Sequence, residues 1–214
     1  MSKLTTVQKP KILDELCEIT DIYNEIILED KVQNKTLEND IIENKDEPGF
    51  TIDSCIFKNV AFSGCSFRNI DLLDTIFEDC DLSNIDFSNG SIHRVEFINC
   101  KLLGARFDEA SLKNVSFKNC LAKYSNFSFG DLKSINFIDS NLEESIFQEV
   151  SLGKTSFKNT NIINGYFNKT SLNKIDFTDC DIAEISVEIK DLSGAIVSPT
   201  QALDLTRLLN ITIK

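Results

Sequence analysis

From Ile52 to Leu192 every fifth residue is apolar without one slip in register. Of these 29 positions, 28 hold Phe, Leu, Ile or Val, and the exception is Ala122. Fourteen of the 16 Phe residues of the chain fall on this lattice. A second lattice lies two residues earlier: Cys55, Val60, Cys65, Ile70, Thr75, Cys80 and onward to Ile185, always small or β-branched and never charged. The other three residues of each unit are mostly Asp, Asn, Ser, Lys and Glu. A period of five is neither the helical 3.6 nor the 2 of an alternating strand, so the internal repeat itself must be explained. Residues two apart share one side of an extended segment, and the polar residues after them supply a turn. Each unit is therefore one short side of a coil.

The number of sides follows from which residue stacks on which. From Phe67 to Phe177 the large position alternates Phe with Leu or Ile, Ala122 again excepted. Coils of 15 residues would set Phe over Leu; coils of 20 set Phe over Phe and Leu over Leu. Cys80, Cys100, Cys120 and Cys180 also share one position modulo 20. The expectation is an all-β solenoid, a four-sided β-helix of about seven coils and ~34 Å length at the ~4.8 Å strand spacing, with aromatic ladders along its core.

These units resemble the pentapeptide-repeat family, whose repeat is A(D/N)LXX. The residues that carry the resemblance are Cys80-Asp81-Leu82-Ser83-Asn84, Ala105-Arg106-Phe107-Asp108-Glu109 and Cys180-Asp181-Ile182-Ala183-Glu184, and the pattern spans about two thirds of the chain. The resemblance implies a right-handed quadrilateral β-helix. The best-studied relatives are DNA mimics that bind type II topoisomerases and protect bacteria from quinolones, so it also implies DNA gyrase or topoisomerase IV as a partner. Some of those relatives carry loops projecting from the coils. The unbroken register here leaves no room for one.

Three segments follow: residues 1–49 as an N-terminal helix and degenerate edge coil, 50–192 as the β-helix, and 193–214 as a C-terminal helical cap. Residues 1–9 read as a loose tail. Ile12, Leu13, Leu16, Ile19, Tyr23, Ile26 and Ile27 have helical spacing, which predicts a helix over 11–24 that caps the open end of the solenoid. In 28–49, Val32, Leu37 and Ile42 stay in phase, but Asp30, Lys35, Asp40 and Lys45 occupy the small inward positions. Such charges cannot be buried unpaired. A turn follows at Glu47-Pro48-Gly49. After Ser198-Pro199, the residues Ala202, Leu205, Leu208 and Leu209 give a helical apolar face; Ser198 suits its N-cap. This face is expected to cap the last coil and, as the resemblance implies, to pair two chains into a homodimer. Ile211-Thr212-Ile213 reads as a short strand.

Composition excludes several functions. A net charge of −12 argues against gripping a nucleic-acid backbone, which needs clustered Lys and Arg, and suits a basic protein partner. No signal peptide or membrane span is evident, so the expected location is cytoplasmic. Six of the seven Cys take the small inward position and are expected to be free, buried thiols. No cofactor or metal spacing is present. The one His, His93, is on an outward position with no nucleophile pairing, so no catalytic residue is expected.

Charge is uneven around the coil. Over 51–192, outward positions with remainders 11 to 18 modulo 20 carry eight bases and eight acids, while the other half carries six bases and thirteen acids, a net of −7. Asp79, Asp81, Asp139, Glu143, Glu144, Asp179 and Asp181 are the expected centre of a partner-binding acidic face. Tyr124 and Phe129 take normally polar outward positions beside the small Ala122. They are expected to fold over the thinned wall, or else to form an aromatic contact.

Overall fold

The corner of each coil is a left-handed residue. Positions 54, 59, 64, 69 and so on have φ near +50° to +66° through most of the chain, a conformation that Asn, Asp and Gly adopt most readily. That is why Asn recurs there, at 59, 69, 84, 89, 99, 114, 119, 159 and 164. Gly104, at φ +65°, is needed for a second reason: a Cβ would lie 2.6 Å from the Asn84 side-chain oxygen in the coil below.

The computed structural model describes residues 4–19, 22, 26 and 29–211. It is a parallel β-solenoid of about seven turns in which residue i pairs with residue i+20. Two adjacent sides form continuous strands that cross one corner: β8 (Asp71–Glu78), β9 (Ser91–Ile98), β10 (Ser111–Lys118), β11 (Asp131–Ile138) and β12 (Ser151–Lys158). The register sets Leu72 on Ile92 and Phe77 on Phe97, as expected from the alternation. The other two sides are built from isolated bridges and tight turns, such as Asp81↔Lys101 and Asp86↔Arg106. Most of those turns close by an i+3 to i bond, for instance Ile85 N–H to the Leu82 carbonyl at 3.2 Å and Gly90 N–H to Phe87 at 3.2 Å, with the left-handed residue third as in a type II turn.

Two Phe ladders fill the core. Phe77, Phe97, Phe117, Phe137 and Phe157 stack with centroids 4.9–5.2 Å apart; Phe107, Phe127, Phe147 and Phe167 stack at 4.9–5.0 Å. The ladders meet edge to face, as Phe107 and Phe117 do at 5.9 Å and 85°, both geometries being favourable. The inward column that includes Cys80, Cys100 and Cys120 also bonds. Their thiols donate to the Phe57, Phe77 and Phe97 carbonyls at 3.4 Å, and Ser140 and Thr160 do the same to Phe117 and Phe137. All seven cysteines are free, and Cys180 is only partly buried.

The N-terminal end departs from expectation. No helix spans 11–24: residues 4–16 have no regular secondary structure, β1 (Cys17–Glu18) pairs with β3 (Lys35–Glu38), and only Ile22, Ile26 and Glu29 of the described residues nearby are helical. Ile19, Ile22 and Ile26 do join the core; Tyr23 and Ile27 lie outside the described residues. Helical spacing lost to sheet pairing at Cys17 and Glu18 and to the backbone bonds that hold Gln8 and Lys11 against the coil edge. Nor are residues 4–9 loose, because they lie along one edge of the solenoid. Residues 31–43 form a true first coil, β2 (Lys31–Gln33), β3 and β4 (Ile41–Glu43), paired to β5 (Thr51–Asp53), β6 (Ile56–Lys58) and β7 (Ala61–Ser63). Val32, Leu37 and Ile42 are buried, while Lys35, Asp40 and Lys45 stay partly exposed at the open end.

Candidate functional site

The 20-residue register places the seven predicted acids on one side of the rod and its two edges. Asp79, Asp139 and Asp179 share one edge row. Asp81 and Asp181 lie two positions on, in the bridge column Asp81, Lys101, Leu121, Asn141, Asn161 and Asp181. Glu143 and Glu144 reach the next edge. The first row is an Asn/Asp ladder: Asn59 donates to Asn39 at 2.8 Å, Asn99 to Asp79 at 3.0 Å, Asn119 to Asn99 at 3.1 Å and Asn159 to Asp139 at 2.7 Å. Neutral amides thus hold Asp79 and Asp139 in place and leave their charge.

Other acids are neutralised by their own column. Lys101 lies 3.3 Å from Asp81 and Lys123 lies 3.0 Å from Glu143. Burial alone would raise the Asp81 carboxyl, but bonds from Ser83 and Lys101 outweigh it and hold the group below the usual range. Asp181 accepts from the Ala183 N–H at 3.1 Å, a turn contact. The acidic side is therefore a mixed surface with a net negative edge.

Tyr124 and Phe129 do not fold over the wall. They are 51% and 54% exposed, because their left-handed backbone, at φ 63° and 61°, aims the side chain away from the coil. Ala122 stays buried, and the Ser125 hydroxyl beneath it bonds its carbonyl at 2.8 Å. Leu103, Leu121 and Tyr166 are also exposed, so the acidic side carries apolar residues as well.

At the C-terminal end, Ser198 caps the helix Pro199–Leu205 in a reciprocal box with Gln201, and a 3-10 turn, Thr206–Leu209, follows. The Gln201 amide also donates to the Phe177 and Cys180 carbonyls, both at 2.8 Å, and Arg207 donates to Ile185 at 2.6 Å. These bonds satisfy carbonyls that the last coil leaves open. Of the predicted face, only Leu205 and Leu208 pack on the core; Ala202 and Leu209 are exposed, Leu209 because the switch to a 3-10 turn at Thr206 rotates the residues after it. Thr212 and Ile213 of the expected strand lie outside the described residues.

His93 is not a bare surface residue. It is partly buried beside Arg94 and Asn114, and burial, then the charges of Arg94 and Lys113, push its pKa down. Arg94 and Asp74 form a bidentate pair, both bonds 2.6 Å. Sequence reasoning missed this pair, although its 20-residue spacing was the available signal. Buried Cys55 and Cys120 are raised by desolvation to about 11 and about 12, so they are protonated and poor nucleophiles. Among the described residues no group of His, Cys, Asp and Glu could hold a metal, and no helix is long and apolar enough to cross a membrane.

A family model described as a pentapeptide repeat region matches residues 90–137, and one of pentapeptide repeats in eight copies matches 135–173. A model of the SV2A/B/C luminal domain matches 21–107. No curated sequence matches the chain. Among solved structures, a trypsin-treated form of QnrB1, a plasmid-mediated fluoroquinolone resistance protein, is 25% identical over 86% of this chain and 95% of that chain, with a TM-score of 0.48. HetL, a pentapeptide repeat protein involved in heterocyst differentiation regulation in the cyanobacterium Nostoc sp. strain PCC 7120, is 15% identical over 78% and 86%, with a TM-score of 0.44. Two repeat models join across 90–173, and the same five-residue register runs on from 50 to 192, so this stretch of the chain is built of pentapeptide repeats.

Proposed function

We propose that this is a non-enzymatic, protein-binding solenoid whose acidic side mimics DNA and engages the basic groove of a type II topoisomerase, DNA gyrase or topoisomerase IV. The observation that carries the reading is the charge asymmetry on the 20-residue register: the acidic half has six bases against thirteen acids, a net of −7, and the other half none. Asp79 and Asp139, held by amides rather than by cations, are its strongest points, with Asp179, Asp181, Asp81, Glu143 and Glu144 around them. Over ~34 Å this is about one net charge per 5 Å, against about one per 1.7 Å of duplex DNA. The mimic is therefore sparse, and its binding should weaken with salt less steeply than DNA binding does. A homodimer through the exposed Ala202, Leu203 and Leu209 would lengthen the rod.

The test is retention of gyrase or topoisomerase IV by the immobilised chain, with supercoiling and decatenation assays at about 50 and about 200 mM salt. Asp79→Lys, Asp139→Lys and Asp179→Lys together should abolish the effect. Failure to bind either enzyme, with supercoiling unchanged, overturns the topoisomerase reading. A second reading, a scaffold for an unrelated protein, is favoured by one observation: Leu121 interrupts the acidic column, with exposed Tyr124 at the edge beside it and exposed Phe129 at the following edge. A duplex mimic has no use for these residues, whereas an apolar pocket on a partner does. Tyr124→Ser with Phe129→Ser should then cost more binding than the charge reversals.

A further inference from the structure

The N-terminal residues 4–13 lie as a strap along the edge between the two strand-forming sides, on the side away from the acidic face. The strap is held through its backbone. The Thr5 N–H donates to Asn136 Oδ1 at 3.2 Å and Ser156 Oγ at 3.0 Å. The Gln8 N–H donates to Asn114 Oδ1 at 3.2 Å, and the Lys11 N–H to Asp74 Oδ1 at 2.8 Å. Asn136 returns a bond to the Thr5 carbonyl at 3.1 Å, and the Ser54 hydroxyl reaches the Lys11 carbonyl at 3.5 Å. The donors recur every third residue. Three residues at the polyproline rise of ~3.1 Å cover ~9.3 Å, and two coils cover ~9.6 Å. Asn114 and Asp74 are two coils apart, as are Ser156 and Asn114 within two residues. An extended chain with a three-residue period therefore stays in step with the solenoid.

Charge fixes its direction. Residues 4–13 hold two lysines and no acid. Lys11 sits at the end where Asp53 and Asp74 line the edge, and Lys154 lies by the Leu4 end. The side chains that read the strap are outward residues of separate coils, so they stay in place whether or not the strap is bound.

We propose that this edge is a groove for an extended basic peptide with a backbone N–H at every third residue, filled here in cis, and that its occupant in trans is residues 4–13 of a second copy of this chain. The exchanged contacts are the same as the cis ones, so exchange costs only the association itself. The intact chain stays monomeric at this site because its own strap competes at a millimolar effective concentration, which lowers the apparent affinity for a second strap by at least about 100-fold.

Complementary full-length variants test this. One carries Thr5→Pro and Gln8→Pro, which remove two strap donors and leave the groove whole. The other carries Asn114→Gly, which keeps the left-handed backbone at that corner, and Asn136→Ala; together they cripple the groove and leave the strap whole. Both should melt as cooperatively as the wild type, since no core residue changes. Mixed at tens of micromolar, the two should form a 1:1 heterodimer in sedimentation equilibrium that neither forms alone. A synthetic peptide of residues 4–13 should compete it away, and the same peptide with Pro at positions 5 and 8 should not. Absence of the heterodimer, or its persistence against the first peptide, overturns the proposal. The acidic face is untouched in both variants, so loss of topoisomerase binding would be a separate failure.

Discussion

Phe117 touches four other rings: Phe97 and Phe137 at 4.9 Å in its own ladder, and Phe107 and Phe127 at 5.9 and 6.0 Å across the core. Phe117→Ala should therefore cost about 3–5 kcal/mol in denaturant unfolding, while Lys113→Ala, an exposed outward change, should cost under about 0.5 kcal/mol. Equal losses would contradict the inward assignment of the lattice. Tyr124 gives the opposite sign. Its ring is half exposed and its backbone is left-handed, so Tyr124→Asn should leave the melting temperature unchanged or raise stability by about 0.5–1 kcal/mol. If partner binding falls while stability does not, the ring is a contact residue. Cys at the inward small position is explained by size and by its weak donor, since Ser140 and Thr160 make the same carbonyl contact.

At the level of elements, both ends are closed by polar contacts as much as by apolar burial. Ser198→Ala should cost about 1 kcal/mol. Gln201→Leu should cost about 1–3 kcal/mol, because the Phe177 and Cys180 carbonyls lose their donor; thermal melting of both variants checks this. The strap end is sensitive to pH. The folded His93 has its pKa depressed by burial and then by Arg94 and Lys113, with Asp74 opposing. A base depressed on folding favours the neutral form, so its contribution is complete above the unfolded pKa of about 6.5 and is lost as pH falls toward the folded value. The melting temperature should fall between about pH 7 and pH 5, and His93→Gln should remove that slope. Asp74 behaves differently. Burial would raise it, but Arg94 and the Lys11 N–H hold it below the usual range, so its hold on the strap persists until pH falls well under about 4.

Across the whole molecule, the repeat length decides the electrostatics. Six of the ion pairs join residues 20 apart: Lys58–Glu78, Arg94–Asp74, Lys101–Asp81, Arg106–Asp86, Lys123–Glu143 and Lys169–Glu149. Most are exposed and worth under about 1 kcal/mol each, so they set the surface pattern more than the stability. Arg94–Asp74 is the exception, with side chains 14% and 7% exposed. Breaking it by Arg94→Ala would leave a nearly buried carboxylate and should release the strap, seen as faster exchange of the Lys11 amide. The −7 on one side should make association with a basic partner faster at low salt.

The sequence by itself determined the coil, its 20-residue length and the stacking of Phe on Phe, because the same unit is written many times over and every copy demands the same inside and outside. It also determined the N-cap at Ser198, where a local hydrogen bond needs only local residues. The ends were decided by tertiary structure. Helical spacing in 11–24 gave way to pairing with Lys35 and Thr36 because a helix this short is marginal by itself, while the open sheet edge has unpaired groups to fill. The strap could not be read at all: Leu4 to Lys11 show no apolar period, and their partners lie 43 to 151 residues away. Whether Tyr124 folds inward rested on a backbone angle, and which of Ala202, Leu205, Leu208 and Leu209 face the core rested on where the helix tightens into its last turn. Repetition fixes what every coil shares; the unique contacts are fixed only once the coil exists to receive them.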